Sequence, residues 1–142
     1  MLVETILAAK GTTVHTLPAT ATLSEAVELL NAQNIGAIVI TEASGRVRGI
    51  LSERDIVRRL DRDPVAMLAR PVTSAMTSSV LTCTRTTTIA DLMERMTTHR
   101  VRHMPVVEDG RLAGIVSIGD VVKRKIEETE QEAAALKDYI AG

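Results

Sequence analysis

The sequence predicts an α+β fold built from two tandem β-α-β-β-α repeats that pack about a pseudo-two-fold axis. An apolar strand that runs directly into a helix occurs twice, as GILSERDIV at 49–57 and GIVSIGDVV at 114–122, each with Ser at the junction and Asp three residues later. The flanking apolar segments recur in the same order, offset by 66 residues before the second hairpin turn and by 65 after it. Self-similarity at a fixed offset is typical of a repeated structural unit.

Composition excludes several classes of protein. The 142 residues suffice for one compact domain or two small ones, and 45% hydrophobic with 25% charged residues is ordinary for a globular chain. A net charge of −1 and a single aromatic residue argue against a nucleic-acid surface. The sequence contains neither a transmembrane-length apolar run nor a signal peptide pattern, so we expect no membrane contact and a cytoplasmic location. The one cysteine, Cys83, has no internal disulfide partner and is expected in the core.

The elements of the first repeat follow from apolar spacing and turn residues. Apolar periodicity within residues 1–13 predicts a helical turn that ends at Gly11. Thr22 and Glu25 are spaced as in a capping box and predict the start of an amphipathic helix. The remaining predicted segments are a short strand at 14–17, a strand buried on both faces at 35–40, a return strand at 47–51, and a helix from Ser52 to about Leu60 that Asp63-Pro64 stops.

The second repeat is predicted in the same order. Its segments are a strand at 80–84, a capping box at Thr88 and Asp91, a strand at 103–107, a hairpin turn at Asp109-Gly110 and a return strand at 112–116. The helix that begins at Ser117 is expected to continue, because residues 123–141 contain neither Pro nor Gly. The predicted organisation is repeat 1 with its N-terminal segment at 1–62, a linker at 63–79, repeat 2 at 80–126 and a helical extension at 127–142.

The C-terminal helix carries an apolar stripe with alternating spacings of four and three residues, at Val122, Ile126, Thr129, Ala133, Leu136 and Ile140. This spacing is heptad-like, although Thr and Ala weaken it. Two interpretations remain open from the sequence. The stripe either packs on the protein's own body or belongs to a helix shared between subunits.

The repeated unit with Gly-hydrophobic-hydrophobic-Ser-x-x-Asp at its end resembles the cystathionine-β-synthase (CBS) domain, and two in tandem resemble a CBS pair, or Bateman module. Residues 102–107 (RHMPVV), 109–110 (DG) and 114–117 (GIVS) follow the family pattern closely. The first copy departs from it, because GAIVI at 36–40 replaces the Arg-His-Met-Pro-Val segment. The resemblance covers roughly residues 3–126, and no second domain is left over, as in stand-alone bacterial CBS-pair proteins.

The resemblance implies two nucleotide clefts. In the family, the aspartate matching Asp55 and Asp120 holds the ribose hydroxyls, the hydroxyl and helix start lie near phosphate, and adenine lies between the first two strands of the repeat. The first cleft would comprise Thr16, Ala37, Ile38, Ser52, Arg54 and Asp55. The second cleft would comprise Thr82, Arg102, His103, Met104, Pro105, Ser117 and Asp120.

The residues themselves leave alternatives open. Ser-x-x-Asp is also an ordinary helix cap, although a helix start is an anion site as well. Arg54 is either a phosphate clamp or a solvated first-turn residue, and its counterpart Gly119 is uncharged, so the clefts should differ in affinity. Arg102 and His103 are either a solvent-facing pair or phosphate contacts.

The leading hypothesis is a regulatory sensor for an adenosine-containing ligand such as AMP, ADP, ATP or NAD(H), with no cofactor and no metal required. The resemblance implies a homodimer, and the sensor would signal to an effector protein in trans. The alternative is a ligand-free interaction module that works through its C-terminal helix. An enzyme is not expected, because Glu53 and His103 lack a convergent catalytic set and no cluster has metal-ligand spacing.

Overall fold

The computed structural model describes all residues, Met1–Gly142. Its elements in order are α1 (Val3–Lys10), β1 (Thr16–Pro18), α2 (Leu23–Gln33), β2 (Ala37–Thr41), β3 (Val47–Ser52), α3 (Glu53–Arg58), α4 (Pro64–Leu68), a 3₁₀ turn (Val72–Ser74), α5 (Ile89–His99), β4 (His103–Glu108), β5 (Arg111–Ser117) and α6 (Ile118–Ala141). The fold is α+β, and the β-α-β-β-α order of the first repeat is confirmed.

The chain divides into two compact units that do not coincide with contiguous halves of the sequence. The first-repeat unit contains Thr13–Leu81 and Glu108–Ala113. The second-repeat unit contains Met1–Thr12, Thr82–Val107 and Gly114–Gly142. Each unit therefore includes a segment that is distant from the rest of that unit in the sequence: residues 108–113 in the first-repeat unit and residues 1–12 in the second-repeat unit.

The first-repeat unit contains a three-stranded sheet in the order β1-β2-β3, with β1 parallel and β3 antiparallel to β2. The first four residues of β2, 37–40, are all buried, which confirms a strand covered on both faces. Apolar side chains of α2, β2 and β3, such as Leu23, Ile38 and Leu51, form its core. Gly45 has a φ of 86° and closes the β2–β3 turn, because glycine adopts this left-handed region without strain.

The segment between the repeats contains a short helix, α4, at the point where Asp63-Pro64 is predicted to end the preceding helix. Helix α3 already ends at Arg58, before Leu60. Asp63 and Pro64 instead begin α4: Asp63 Oδ1 accepts a hydrogen bond from the N–H of Ala66 at 3.1 Å. Proline fits this first helical position because the N–H that it lacks has no partner within the helix there. Met67 and Val72 from residues 63–79 then join the core of the first-repeat unit.

The hairpin of the second repeat forms as predicted, but its preceding strand does not. Asp109 and Gly110 have φ values of 52° and 76°, as a two-residue hairpin turn requires. The segment predicted as a strand at 80–84 is reduced to one parallel bridge between Cys83 and Val106. Its two hydrogen bonds join Cys83 N to the Pro105 carbonyl at 3.0 Å and Val107 N to the Cys83 carbonyl at 2.9 Å.

Helix α1 belongs to the second-repeat unit, whereas the sequence groups residues 1–13 with the first repeat. Two of its initial N–H groups, on Val3 and Glu4, donate to the carbonyls of Thr87 and Arg85, both at 2.9 Å. These bonds satisfy helix-start donors that have no intrahelical partner. The helix ends at Gly11, whose φ is 95°, as predicted.

Helix α6 begins packed and ends exposed. Val121 is buried, and the helix contacts α1 and α5 within the second-repeat unit. Every residue from 129 to 142 is exposed, and Leu136 and Ile140 retain 60% and 76% of their accessible surface. The interpretation that the apolar stripe packs on the protein's own body is therefore wrong for its residues from Thr129 onwards, because nothing in the chain covers them, whereas Val122 and Ile126 are partly covered. None of the helices combines the length and apolar character needed to span a membrane.

Candidate functional site

Both strand-to-helix junctions are closed by the same reciprocal pair of hydrogen bonds. At the first junction, Ser52 N donates to Asp55 Oδ2 at 2.8 Å, and Asp55 N donates to Ser52 Oγ at 3.1 Å. At the second, Ser117 N donates to Asp120 Oδ2 at 2.9 Å, and Asp120 N donates to Ser117 Oγ at 3.2 Å. Each Ser-x-x-Asp sequence is thus a complete capping box.

At the two threonine sites predicted as capping boxes, only one of the two hydrogen bonds of a capping box forms. The N–H of Glu25 donates to Thr22 Oγ1 at 3.2 Å, and the N–H of Asp91 donates to Thr88 Oγ1 at 3.1 Å. Neither acidic side chain returns a bond to the cap residue, and both are exposed. The reciprocal box is therefore confined to the two junctions that the sequence singles out as candidate sites.

The capping boxes leave a defined set of groups at each junction. One more helix-start donor is consumed, because Glu53 N donates to the Gly36 carbonyl at 3.0 Å and Ile118 N to the Arg102 carbonyl at 2.8 Å. The N–H at the second helical position stays unpaired within the helix. Each aspartate also keeps its Oδ1 as an acceptor, since the box uses Oδ2. An acceptor oxygen beside an N–H donor suits a ligand that carries hydroxyl groups and an anion.

The first candidate cleft is assembled within the first-repeat unit. Ala37 is the Cα partner of Ser52 across the β2–β3 ladder, which places the start of β2 beside the junction. Thr16 is exposed and pairs with Val39 on the other side of β2. The side chain of Ile38 is fully buried in the core, so only its backbone is available to a ligand.

Arg54, the remaining predicted residue of this cleft, is an exposed cation. Its side chain forms none of the salt bridges of the structure. It occupies the second helical position, next to the half-buried Asp55. Nothing in the protein therefore neutralises this guanidinium, which leaves it available to a phosphate.

The second candidate cleft is assembled within the second-repeat unit. The hydrogen bond from Ile118 N to the Arg102 carbonyl joins the start of β4 to the helix start, as at the first junction. The side chain of Arg102 is exposed, and His103 is half-buried. Met104 and Pro105 are buried, whereas Thr82 is half-buried and accepts a hydrogen bond from Arg95 Nη2 at 2.8 Å through its carbonyl.

No sequence pattern indicates a role for Lys10, the cation closest to Asp120. Its Nζ donates to Asp120 Oδ2 at 2.8 Å and to the Ile115 carbonyl at 3.1 Å. Burial acts to raise the pKa of Asp120, but the hydrogen bonds from Lys10 and from Ser117 outweigh it and hold that pKa below its usual value. The 110 residues between Lys10 and Asp120 hide this contact from local patterns.

The equivalent of Lys10 in the other repeat is apolar. At the offset of 66 residues, Lys10 corresponds to Met76. Met76 packs against the core of the first-repeat unit and lies so close to Gly49 that a Cβ there would be 2.5 Å from the Met76 sulfur. The two clefts thus carry their cations in different places: Arg54 on the helix in the first, and Lys10 on the preceding segment in the second.

Lys10 also lines a cleft of about 220 Å³ between α1 and α6, both in the second-repeat unit. The lining residues are Ile6, Ala9, Lys10, Asp120, Lys123 and Arg124. Arg124 is partly neutralised by Glu127, with Nη1 and Oε2 2.7 Å apart. Three cations beside one carboxylate give this cleft the charge expected of a site for a phosphorylated ligand. The sequence does not reveal the cleft, because its two walls lie at opposite ends of the chain.

Other reactive groups are not gathered into a centre. The side chains form no group of three or more His, Cys, Asp or Glu residues that could hold a metal ion. Cys83 is a buried free cysteine, as expected, with its sulfur 3.8 Å from the Pro105 carbonyl oxygen. The junctions therefore remain the chemically organised part of the molecule.

Both repeats resemble known proteins in sequence and in fold. The CBS domain model matches residues 11–62 and 72–127. A CBS-domain containing protein from Agrobacterium tumefaciens is 46% identical, with a TM-score of 0.83 over 88% of this chain and 99% of its own. A CBS domain protein from Pyrobaculum aerophilum, crystallised with AMP, is 31% identical, with a TM-score of 0.73 over 84% of this chain and 89% of its own.

A curated relative extends the comparison to plants. A mitochondrial CBS domain-containing protein of Arabidopsis thaliana is 34% identical over 125 residues, which is 85% of this chain. The match spans 61% of the Arabidopsis protein, so that relative is considerably longer than the matched region. Two family matches cover most of the sequence, and each contains one Ser-x-x-Asp junction. The chain belongs to the CBS domain family and carries two CBS domains in tandem.

Proposed function

We propose that this chain is a regulatory module that binds an adenosine-containing nucleotide at its Ser-x-x-Asp junctions and transmits occupancy to a partner protein in trans. The observation that carries the proposal is the duplicated capping box, which fixes an aspartate beside a helix start and leaves one carboxylate oxygen unused. Ribose offers two hydroxyl donors to such an oxygen, and phosphate suits the adjacent cations. The relative from Pyrobaculum aerophilum crystallised with AMP supports this ligand class.

The ligand is AMP, ADP, ATP or NAD(H), and the two sites differ in how they receive its phosphates. In the first cleft Arg54 is the available cation, with Glu53 and Asp55 on either side. In the second, Lys10 and Lys123 line the cleft between α1 and α6 together with Asp120. Because more positive charge lines the second cleft, we expect it to gain more affinity from each added phosphate. Binding would favour one packing of the repeats over another and thereby change what a partner contacts.

Isothermal titration of AMP, ADP, ATP and NAD(H) tests the proposal. Wild type should bind with two sites of unequal affinity, and Asp55→Ala and Asp120→Ala should each remove one of them. Asp91→Ala is the matched control, because Asp91 also follows a capping residue by three positions but forms no reciprocal box. Binding of every nucleotide by the Asp55→Ala/Asp120→Ala double variant, with unchanged affinity and stoichiometry, would overturn the site assignment.

The exposed end of α6 favours one alternative function, a ligand-free interaction module. Residues 129–142 are exposed and carry apolar side chains that no part of the chain covers. On this alternative, nucleotides at millimolar concentration leave the melting temperature unchanged, and removal of residues 127–142 abolishes partner capture. A ligand at one hundred times its dissociation constant adds about 2.7 kcal/mol, so a thermal-shift panel separates the two functions clearly.

A further inference from the structure

Helix α6 carries an apolar stripe that continues beyond the part of the helix that packs on the rest of the protein. The stripe, here called the α6 seam, consists of Val122, Ile126, Thr129, Ala133, Leu136 and Ile140. Val122 and Ile126 are already 39% and 53% exposed, and beyond residue 128 the helix is exposed on all sides. Fourteen exposed residues extend for about 21 Å at 1.5 Å per residue.

A helical segment of this length is only marginally stable in water without packing. Its seam repeats every 3.5 residues on average, since its spacings alternate between four and three. This period defines the a and d positions of a coiled coil, with Ile126, Ala133 and Ile140 at a and Val122, Thr129 and Leu136 at d. Such a narrow stripe fits one facing helix of the same period rather than a broad surface.

The charges that flank the seam identify the facing helix. The g positions contain Lys125 and Glu132, and the e positions contain Lys123, Glu130 and Lys137. In a parallel pair, each g residue faces the e residue five positions later on the other helix. We propose that α6 forms a parallel, in-register coiled coil with α6 of a second copy of this chain. Lys125 then meets Glu130 of the partner subunit, and Glu132 meets Lys137 of the partner subunit.

The opposite orientation brings like charges together. When the helices run antiparallel with the seam residues in register, e residues face e residues and g residues face g residues. Glu130 and Glu132 would then each face their own equivalent, and Lys123 would face Lys137. The charge pattern therefore selects the parallel pair as well as the partner.

One of these lysines has a partner within its own chain. Lys125 Nζ lies 3.3 Å from Glu128 Oε1, and Glu128 Oε2 also accepts from the α-amino group of Met1 at 3.1 Å. Lys125 and Glu128 are partly exposed, and ion pairs of this kind, three residues apart on a helix, contribute little. When Lys125 turns towards the partner subunit, Glu128 keeps its ion pair with the α-amino group of Met1. The loss of the Lys125–Glu128 pair therefore leaves no carboxylate unpaired.

Sedimentation of the full chain at micromolar concentration, without nucleotide, tests the proposal first. Wild type should be a dimer, and Leu136→Glu should lose the α6 pairing. Lys125→Glu should raise the dimer dissociation constant about fivefold, because it replaces two attractive pairs by two repulsive ones. The double variant Lys125→Glu/Glu130→Lys exchanges the two charges and should restore the wild-type constant. Dimerisation that none of these changes alters, or a wild-type monomer, would overturn the proposal.

Cysteine cross-linking tests the orientation separately and does not depend on other dimer contacts. Ile140→Cys places two thiols against each other in a parallel pair and should form an interchain disulfide on mild oxidation. In an antiparallel pair the same thiols lie roughly 27 Å apart. Gln131→Cys is the control, because position 131 lies at f on the outer face and should not cross-link. Absence of the Ile140→Cys disulfide, or equal cross-linking of the control, excludes the parallel coil. Nucleotide binding is measured independently, so its failure would not affect this result.

Discussion

Individual side chains at the second junction illustrate how one carboxylate serves both the fold and a candidate site. Asp120 closes the helix start through Oδ2 and accepts Lys10 on the same oxygen. The lowered pKa of Asp120 means that its charged form is favoured in the folded state, even though burial opposes it. A ligand therefore meets a carboxylate that is already ionised and held in place, which reduces the ordering required on binding.

Lys10→Met gives the second cleft the residue type that Met76 provides in the first. We expect the pKa of Asp120 to rise, because its strongest lowering contact is lost, and the free energy of unfolding to fall by about 0.5 kcal/mol at neutral pH. The folded-state pKa lies below the usual 3.8. The stabilisation is thus present above that value and disappears as the pH falls through the folded-state pKa.

Urea unfolding at several pH values measures this effect, and a carboxyl NMR titration follows Asp120 directly. Arg46→Met, on an exposed turn, controls for the loss of one positive charge. Equal destabilisation by both variants at neutral and acidic pH would show that the Lys10–Asp120 contact contributes nothing specific.

Replacing each of the two glycines in the segment 114–122 by alanine should change the free energy of unfolding in opposite directions. A Cβ on Gly114 would lie 2.8 Å from Leu7 Cδ2, a buried side chain. Gly114→Ala should therefore destabilise by about 1–3 kcal/mol through overpacking. A Cβ on Gly119 would meet only Ser117 Oγ at 3.6 Å, so Gly119→Ala should stabilise by about 0.5–1 kcal/mol. Thermal unfolding of the two variants in parallel measures both signs. A stabilising Gly114→Ala would show that α1 does not pack tightly on β5.

At the scale of elements, most helix starts and the hairpin turns follow from local patterns, because caps, turn glycines and apolar periods act over a few residues. The β2 strand, the Asp109-Gly110 turn and the start of α6 at Ser117 are predicted for this reason. Asp63-Pro64 is compatible with either a stop or a start, and only the packing of Met67 selects the start. The strand expected at 80–84 is reduced to the single bridge between Cys83 and Val106.

Removal of residues 129–142 tests the independence of the end of α6. No residue in this segment is buried, and the Met1–Glu128 ion pair remains. At concentrations where the wild-type chain is monomeric, the melting temperature of the remaining chain and its nucleotide affinity should therefore change little, while the helical circular-dichroism signal falls in proportion to the residues removed. A matched truncation at residue 121, which removes most of α6 beyond the buried Val121, should unfold the second-repeat unit. A large loss of stability of the monomer from the shorter truncation would mean that residues 129–142 pack on the body of the protein.

At the scale of the whole molecule, the two repeats share the same Ser-x-x-Asp junction but differ in the positively charged residues beside it. Both junctions have the same capping box, but one cation comes from the helix and the other from the segment before the first strand. The family resemblance identifies the junction residues because they are contiguous in sequence. It does not identify Lys10, because the contact of Lys10 with Asp120 depends on how α1 packs in the second-repeat unit. Lys123 and Arg124 lie one helical turn after Asp120, and they line a cleft because α1 forms its other wall.

The unequal cations predict unequal responses to phosphate number. In Asp55→Ala, where only the second site remains, the ratio of ATP to AMP affinity should exceed that in Asp120→Ala, where only the first remains. Raising the salt concentration should reduce this difference, because screening weakens interactions between partly exposed charges. Isothermal titration at two ionic strengths measures both effects. Identical ratios in the two variants would show that Lys10 and Lys123 do not contact the phosphates.

The exchanged segments of the two units have a consequence for the ancestry of the chain. Residues 1–12 lie in the unit of the second repeat, and the segment at the matching offset, residues 67–78, lies in the unit of the first. A single repeat, translated alone, would carry in front of its first strand a segment that in this chain lies in the unit of the other repeat. Two such half-length polypeptides could become complete only by swapping these pieces. Gene duplication and fusion would then have placed inside one polypeptide an exchange that began between two.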